Sequence, residues 1–363
     1  MKYMVRGIIA LAAMAAGDLN ASPQARAQSS DLYAGKTLTV VIGLSPGGTA
    51  DTFARRFANH LRKHIPGNPT IVIQNMPGGA GVVATNYVFE KAKPDGMTIL
   101  WNPWDPIGQA LGDQGLRARY DKFGFIGGTG DIRVNYARTD VVAGGLQKPS
   151  DIAKAKEVLA GSPGLTDLSG LLAKMSLDVL GIPNRMVLGY RGGNEVFLAV
   201  ERGEVNFHNT SITTFRTRNA EFIKSGRGMG ICYFVPVDDK GEYERSKFVN
   251  DMPPFPDLYK EVHGRMPSGP AWDALNWLTN QIGEMTFVGL APPGTPDEAL
   301  AALRKGYEAA SNDPEFIEQS TVMNGLPYSF VGVERGTAIF RSLAEVTPEV
   351  VATLRQTIEA GRR

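Results

Sequence analysis

Apolar and polar residues follow two alternating spacings along the first third of the chain. Short β-branched runs at residues 37–42, 70–73 and 97–101 are typical of buried strands. Between the first two runs, Phe53 and Phe57 repeat at the spacing of one helix face. Because strands alternate with helices here, the pattern predicts a parallel sheet covered by helices and hence the α/β class.

The rest of the chain repeats these patterns and predicts a second α/β unit that begins near residue 135. Residues 251–257 are rich in proline, which predicts a connecting loop. Beyond this loop we expect helices that return to pack on the first unit. The other predicted elements are helices at 169–180 and 196–200, strands at 186–188, 205–208, 230–235 and 287–290, and helices that open at Thr295, Asp313 and Thr347.

Two glycine-rich loops follow the first two predicted strands. Residues 45–48 (SPGG) and residues 76–81 (MPGGAG) each precede a helical pattern. Helix N-termini present unpaired N–H groups and partial positive charge, and the carboxyl ends of parallel strands meet at one edge of a sheet. The two loops therefore predict a clamp for an anion, and a phosphate, a dinucleotide or an acyl intermediate would each fit it.

Two enzymatic interpretations of these loops fail on their chemistry. Residues 43–47 match the G-x-S-x-G pattern of a hydrolase nucleophile, with Ser45 as the serine, but Pro46 lacks the N–H that would stabilise the oxyanion. Residues 79–84 match the G-x-G-x-x-A pattern of dinucleotide sites, but no ribose-binding acid stands at the expected strand end. We therefore expect a protein that is not an enzyme and has no cofactor.

The N-terminus predicts export from the cytoplasm. Lys2 and Arg6 precede a short apolar stretch, and residues 25–27 (ARA) fit a small-x-small cleavage site. Residues 1–27 are therefore predicted to be a signal peptide, cleaved near Ala27. The predicted location of the mature protein is the periplasm.

Composition narrows the functional classes further. The formal net charge is +1 and no basic stripe is present, so we expect no nucleic-acid partner. Cys232 is the single cysteine and lies in an apolar run, which predicts a small buried residue without a disulfide. The length suits two domains of about 150 residues each.

Two histidines on the first predicted helix are spaced as zinc ligands can be. His60 and His64 lie one turn apart, but Arg62 and Lys63 between them would oppose a divalent cation. We predict a solvated helix face here and no metal site.

Polar and aromatic residues at other strand ends are candidate ligand contacts. Arg191 lies beside two glycines, where a guanidinium would meet a carboxylate or form an ion pair between domains. Asn209 belongs to a polar cluster that would bind a ligand or cap the next helix. Trp101 and Trp104 follow the third strand, and packing in the core is the alternative to ligand contact for both.

The order and spacing of several segments resemble the periplasmic solute-binding proteins of tripartite tricarboxylate transporters, the Bug-type family. The resemblance covers nearly the whole mature chain. The segments are residues 45–51 (SPGGTAD), 75–81 (NMPGGAG), 93–97 (KPDGM), 190–193 (YRGG), 290–296 (LAPPGTP) and 313–316 (DPEF).

The resemblance implies a type II periplasmic-binding-protein-like fold of two α/β lobes, each a central sheet flanked by helices, joined by crossing strands. Lobe 1 would comprise residues 28–134 and 236–363, and lobe 2 residues 135–235. It further implies that the glycine loops hold a carboxylate, often through ordered water, while the second lobe selects the rest of the ligand. The residues implicated are Ser45, Gly47, Gly48, Asp51, Gly78, Gly79 and Gly81 in lobe 1, and Ser162, Thr166, Arg191 and Asn209 in lobe 2.

This chain departs from the family pattern at several of these positions. The family usually has lysine at Arg191 and often aspartate at Asn209, and it has small polar residues near Trp101 and Trp104. A bulkier or aromatic acid is therefore conceivable, and Trp101 is included among the predicted ligand contacts.

The sequence as a whole predicts a monomer that captures a small organic carboxylate, either a di- or tricarboxylate or an aromatic acid. It would deliver this ligand to the permease subunits of a tripartite tricarboxylate-type transporter. A sensor component of a two-component signalling system is the first alternative, and a periplasmic serine hydrolase is the second.

Overall fold

The computed structural model describes residues 32–47, 49–238, 240–283, 285–324 and 327–362. The predicted export signal, residues 1–27, lies outside the described residues. Within the described residues, no helix combines the length and apolar character needed to cross a membrane.

The first sheet has six strands. They are β1 (Thr37–Ile42), β2 (Thr70–Asn75), β3 (Thr98–Pro103), β4 (Gly124–Gly130), β10 (Phe287–Ala291) and β11 (Ser329–Val331), in the spatial order β11-β4-β10-β3-β1-β2. The pairs of β1 with β2 and β3 are parallel, as the sequence pattern predicts. The pairs of β10 with β3 and β4, and of β11 with β4, are antiparallel. The sheet is therefore mixed, with its parallel part built by the two glycine-loop units.

The second sheet has five strands. They are β5 (Arg133–Arg138), β6 (Val158–Ser162), β7 (Asn184–Leu188), β8 (Phe207–Ser211) and β9 (Gly228–Tyr233), in the spatial order β7-β6-β8-β5-β9. Strand β6 runs parallel to β7 and β8, whereas β5 runs antiparallel to β8 and β9. Only residues 131 and 132 separate β4 of the first sheet from β5 of the second, so the chain crosses between the sheets at this point.

Helices cover both sheets. The α-helices are α1 (Thr49–His64), α2 (Val82–Glu90), α3 (Pro106–Leu111), α4 (Leu168–Val179), α5 (Gly193–Arg202), α6 (Ile212–Thr217), α7 (Ala220–Lys224), α8 (Phe255–His263), α9 (Pro270–Ile282), α10 (Asp297–Ser311), α11 (Pro314–Asn324), α12 (Val333–Ala344) and α13 (Pro348–Ala360). The predicted fold class, two lobes that each consist of a sheet flanked by helices, is confirmed.

Strand β4 is a buried strand that the sequence pattern does not predict. Four of its seven residues are glycine, which has low strand propensity, so the run is typical of a loop. In the structure the glycines make room for large neighbours. A Cβ atom on Gly127 would lie 2.3 Å from the Tyr307 ring, and one on Gly128 would lie 2.8 Å from the Met285 sulfur. The strand is glycine-rich because side chains from the covering elements fill its surface.

The proline-rich segment shows a further difference from the sequence prediction. Residues 251–257 are predicted as a loop, but α8 begins at Phe255 with Pro256 in its first turn. Proline is well tolerated in the first turn of a helix because the N–H it lacks would have no partner there. This prediction is therefore wrong for the last three residues of the segment.

One hydrophobic cluster extends from the first sheet to the second. It includes Val41 and Leu100 of the first sheet and Val158 and Ile231 of the second. Helix α9 packs against both α13 and α4 within it. Consequently, the two sheets share a continuous core on one side, and the C-terminal helices contact both lobes.

Cys232 lies on β9 and is completely buried, as predicted. The side-chain amide of Asn135 lies 3.7 Å from its sulfur. Burial raises the pKa of this thiol to about 12.

Substitution of Gly336 tests how tightly α12 packs on β4. A Cβ atom at Gly336 would lie 2.1 Å from the Phe125 ring, whereas one at Gly193 would lie 3.7 Å from His208. Alanine favours a helix by about 1 kcal/mol over glycine, but overpacking costs about 1–3 kcal/mol. We expect Gly336→Ala to lower the melting temperature in spite of its helix propensity, and Gly193→Ala to leave it unchanged. Equal melting temperatures for the two variants would contradict this packing.

A cleft between the two sheets as the candidate binding site

In each sheet, the strand ends that carry predicted site residues lie at one edge, and residues from both edges line a common cavity. In the first sheet, Ile42 of β1 pairs with Asn75 of β2, and Phe287 at the start of β10 pairs with Pro103 at the end of β3. These strand ends share one edge with the end of β4. In the second sheet, the ends of β6, β7 and β8 share an edge with the start of β5. Because the chain passes directly from β4 to β5, these two edges border a common cleft.

The first glycine loop is held in place by Asp51. The carboxylate of Asp51 accepts hydrogen bonds from the Gly47 N–H and the Arg55 Nε, each at 2.9 Å. It also accepts one from the side-chain amide of Asn75, which donates to the Leu44 carbonyl as well. Asp51 is only 2% exposed, and the Arg55 hydrogen bond is the main reason that its pKa falls to about 2. Asp51 therefore stabilises the conformation of this loop by accepting a hydrogen bond from its backbone.

Gly47 adopts φ +78°, a left-handed conformation that favours glycine. Ser45 and Gly47 are both exposed at the cleft edge. Gly48, the last residue predicted for this loop, lies outside the described residues.

The second glycine loop is joined to the first by Asn102, at the end of β3. The Asn102 Oδ1 accepts from the Gly43 N–H at 3.0 Å, and its Nδ2 donates to the Gly81 carbonyl and to the Thr85 hydroxyl, each at 2.9 Å. A Cβ atom on Gly43 would lie 2.5 Å from the Gly81 Cα. The two loops are thus in direct contact, and only glycine fits at either position.

Residues 78–81 leave backbone donors available at this edge. Gly78, Gly79, Ala80 and Gly81 all have positive φ, and residues 79–81 form a single 3-10 turn ahead of α2. Among the described residues, the N–H groups of Gly78, Gly79 and Ala80 have no hydrogen-bond acceptor. The structure therefore places Gly78, Gly79 and Gly81 in a loop with the donor geometry that an anion requires.

The second sheet contributes a cation that the sequence analysis missed. Arg133, the first residue of β5, donates through Nε and one terminal nitrogen to the Asn209 side-chain oxygen, at 2.9 and 2.6 Å. Among the described residues, no carboxylate oxygen lies within 4.0 Å of its guanidinium. Burial lowers the pKa of Arg133, although an arginine stays charged at neutral pH. The one signal of Arg133 in the sequence is its position, three residues after the end of the glycine-rich strand β4, where the chain crosses to the second sheet.

Asn209 holds Arg133 through a buried chain of side chains. Asn209 is fully buried and donates to Asn135 at 2.9 Å, and Asn135 donates to Ser176 on α4 at 2.9 Å. This chain of hydrogen bonds fixes the oxygen that Arg133 contacts. Asn209 is therefore at the cleft edge as predicted, but its side chain contacts Arg133, not open space.

Arg133 lines a cavity of about 210 Å³ between the two sheets. Two charged residues, Arg133 and Asp131, lie on one side of it. Burial raises the pKa of Asp131, against the effect of hydrogen bonds from Ser211 and Thr213. The other lining residues are aromatic or carry hydroxyl groups: Phe53, Phe287, Tyr328, Thr129, Ser211, Thr213, Thr214 and Thr286. The cavity thus combines a cation, several hydroxyl donors and an apolar wall.

The other predicted residues of the second lobe have different surroundings. Ser162 is fully buried, and its hydroxyl bonds within its own loop to the Gly164 backbone. Thr166 is exposed next to Asp167, the residue that caps α4. The Arg191 side chain is 92% exposed, with Glu195 at 3.8 Å. Arg191 is therefore a solvent-exposed cation in this structure, and Arg133 is the arginine within the cleft.

Both tryptophans lie in the core. Trp101 is 4% exposed and stacks on Phe53 and Phe287, with ring centroids 5.4 and 6.0 Å away. Trp104 stacks on Phe340, and its Nε1 donates to the Gln281 carbonyl. The structure therefore supports the packing alternative for both residues, with Trp101 one ring behind the wall of the cavity.

The histidine pair on α1 differs from its prediction. His60 is only 3% exposed, so it does not lie on a solvated face. His60 and His64 both contact the same oxygen of Asp313, at 3.1 Å. Asp313 precedes α11, so the predicted surface pair instead ties α1 to α11 through one carboxylate.

Known proteins are similar to this chain in sequence and in fold. No family model matches the chain. A UPF0065 protein of Bordetella pertussis is 26% identical over 305 residues, which cover 79% of this chain and 80% of that protein. Protein BugT of the same organism is 35% identical over 72 residues, which cover 20% of this chain and 21% of that protein.

Solved structures align over most of the chain. A TctC solute binding protein from Polaromonas gives a TM-score of 0.64 at 16% identity and covers 88% of this chain and 98% of its own. The R. palustris protein Rpa4515, solved with adipate, gives 0.62 at 17% identity, covering 88% and 97%. MatC from Rhodopseudomonas palustris, solved with malate, gives 0.59 at 19% identity, covering 89% and 99%.

The fold is the two-lobed fold of the periplasmic binding proteins. The predicted resemblance to the Bug-type solute-binding proteins of tripartite tricarboxylate transporters is confirmed by these relatives and structures.

Asp51 gives the stability of the protein a specific acid dependence. Its pKa is lowered from 3.8 to about 2 in the folded protein, so its stabilising effect is present above 3.8 and is lost as the pH falls through about 2. We expect Asp51→Asn to be less stable than the wild type at neutral pH, and the difference to shrink in strong acid. Urea unfolding curves at successively lower pH measure this. The exposed Glu318→Gln serves as control, and a difference that grows in acid would contradict the assignment.

We predict that Asn102 stabilises the conformation of both glycine loops. Asn102→Leu keeps the volume but leaves the buried Gly43 N–H without an acceptor, which costs about 1–3 kcal/mol. The exposed Asn250→Leu is the matched control and should change stability by less than about 0.5 kcal/mol. Chemical unfolding compares the two variants, and equal effects would show that Asn102 does not hold the loops together.

Proposed function

We propose that this chain is a periplasmic solute-binding protein that captures a small organic carboxylate in the cleft between its two sheets. In this proposal it delivers the carboxylate to the permease subunits of a tripartite tricarboxylate-type transporter. The predicted lobes, residues 28–134 with 236–363 and residues 135–235, are proposed with one change. Arg133 and Val134 belong to β5 of the second sheet and are assigned to the second lobe. The protein would act by binding alone, without a catalytic step.

The observation that carries the proposal is the unpaired guanidinium of Arg133. Two of its nitrogens bond a neutral amide oxygen, and no carboxylate among the described residues lies within 4.0 Å of it. A partly buried cation of this kind is stabilised by an anionic partner, and a guanidinium binds a carboxylate through two parallel hydrogen bonds. The cavity beside it supplies the space for such a ligand.

The glycine loops supply a second anion site on the opposite side of the cleft. The N–H groups of Gly78, Gly79 and Ala80 have no acceptor among the described residues, and α2 begins directly after them. A ligand with two carboxylates would therefore meet Arg133 at one end and the loops at the other. Malate and adipate, bound in two of the similar structures, are dicarboxylates of this kind.

Closure of the lobes on the ligand follows from this division of donors. Each lobe holds only part of the donor set, so only a closed form completes it, and the ligand favours that form. We propose that the predicted residues Ser45, Gly47, Ser162 and Thr166 contact the ligand on closure, and that the exposed Arg191 contributes less.

The aromatic side chains that line the cavity indicate which kind of acid would fit it. Phe53, Phe287 and Tyr328 line it together with hydroxyl groups. An apolar chain or a ring between the carboxylates would pack on these side chains, whereas a sugar would leave them without apolar contacts. We propose an acid with an apolar body.

A serine hydrolase is the weaker alternative, because no histidine in the described part of the chain contacts Ser45. The chain has four histidines. His60 and His64 contact Asp313, while His208 and His263 contact the Gly161 and Leu180 carbonyls.

The sensor alternative uses the same binding site and differs in the partner. Uptake of the ligand by permease-containing vesicles would favour transport over it.

Binding is tested by the melting temperature of the mature protein against mono-, di- and aromatic carboxylates, with neutral sugars as the comparison. A ligand at a hundred times its dissociation constant adds about 2.7 kcal/mol of stability. We expect at least one carboxylate to raise the melting temperature. A response to sugars and to no carboxylate would contradict the proposed function.

The role of Arg133 is tested by comparing two arginines. Arg133→Met removes the proposed carboxylate contact and should weaken binding by about a hundredfold, since hydrogen bonds to charged groups contribute about 1.5–3 kcal/mol each. Arg191→Met removes an exposed arginine of the same charge and should weaken binding far less. Calorimetric titration measures both, and circular dichroism of the free variants verifies folding. Stronger loss in Arg191→Met would move the site to the outer loop.

A further inference from the structure

A second large concavity lies away from the two glycine loops. It is an open groove of about 1100 Å³, bordered by the segment after β9 and by helices α9 and α12. The segment, described for residues 236–238 and 240–244, leaves the second sheet, whereas α9 leads into β10 of the first. An occupant of this groove would therefore contact elements attached to both sheets.

The groove is acidic. Asp238, Glu242, Glu244 and Asp273 line it, and none of the four forms an ion pair with another described residue. Among the described lining residues, Arg335 is the only basic one. The formal net charge of the whole chain is +1, whereas the lining of the groove has four acidic residues and one basic residue.

Gln281 borders the groove and has an amide oxygen that lacks a hydrogen-bond donor among the described residues. Its side chain is completely buried and its Nε2 donates to the Ser342 hydroxyl at 2.6 Å. Ser342 in turn donates to the Ile339 carbonyl, so it has no proton left for Gln281. No described residue donates to the Gln281 Oε1, and the residue lines the groove. A buried amide oxygen without a donor is costly, and an incoming N–H group would remove that cost.

Trp277 indicates which kind of cation would fit. Trp277 lines the groove, and its buried Nε1 has no acceptor in the described part of the chain. A metal ion would coordinate the Gln281 oxygen but would leave the Trp277 N–H without an acceptor, whereas an occupant should satisfy both the oxygen and the N–H. A polypeptide satisfies both, because its side chains carry N–H donors and its backbone carries carbonyls. A lysine or arginine side chain would also stack favourably on the indole face.

We propose that this groove docks a lysine- or arginine-rich segment of a partner protein. The proposal rests on the charges of the groove and on the unpaired polar atoms of Gln281 and Trp277. It does not depend on the carboxylate site. In the proposed transport cycle, the partner would be a membrane subunit that contacts both lobes through one basic segment.

The test uses a fluorescein-labelled octapeptide of alternating lysine and arginine, with a glutamate octapeptide as comparison, and fluorescence anisotropy as the readout. The groove variant is Glu244→Gln with Asp273→Asn. The control variant is Glu318→Gln with Glu359→Gln, which removes the same charge from exposed positions elsewhere. We expect the wild type to bind the basic peptide, more weakly as salt is raised. The groove variant should bind about tenfold more weakly, and the control variant should bind as the wild type does.

Gln281→Met provides a test that does not change the charge. It keeps the side-chain length and removes the unpaired oxygen, so binding of the basic peptide should weaken while the salt dependence stays the same. Failure of the wild type to bind, or equal weakening in the groove and control variants, would overturn the proposal. The carboxylate melting assay is run on the groove variant in parallel. An unchanged carboxylate response there separates failure at the groove from failure at the cleft.

Discussion

The side-chain amide of Asn102 connects the parts of the structure on which the candidate site depends. It stands at the end of β3 and bonds the backbones that follow β1 and β2, so the ends of three strands are fixed relative to one another. Because the two loops touch through Gly43 and Gly81, neither can shift without the other. The donors of residues 78–80 are therefore preorganised, and ligand binding does not carry the entropy cost of ordering them.

In the second sheet, neutral groups hold the guanidinium of Arg133, and no carboxylate among the described residues lies within 4.0 Å of it. Asn209 and Asn135 extend from Arg133 to Ser176 as a chain of neutral groups. This chain orients the guanidinium without neutralising it. A carboxylate in the position of Asn209 would have paired with the arginine and reduced its attraction for an anion. The amide at this position therefore suits a site whose counter-charge comes from the ligand.

The sequence was sufficient to predict the fold class, the parallel half of the first sheet and both glycine loops, since these depend on local patterns of β-branched runs and glycines. Strand β4 could not be predicted, because its glycines are explained only by Tyr307 and Met285, which pack on it from distant parts of the chain. Arg133 was missed for a similar reason. Its environment comes from β8 and α4, and its position shortly after a glycine-rich run does not by itself distinguish it from the exposed Arg191.

Cys232 has a practical consequence for studies of motion in this protein. Its thiol is buried, and its pKa of about 12 leaves almost no thiolate at neutral pH, so it reacts slowly with alkylating reagents. The natural chain thus already behaves as a cysteine-free background. One cysteine introduced at an exposed position on each side of the cleft would take a fluorophore without further engineering. The distance between two such dyes would then report directly on the opening and closing of the lobes.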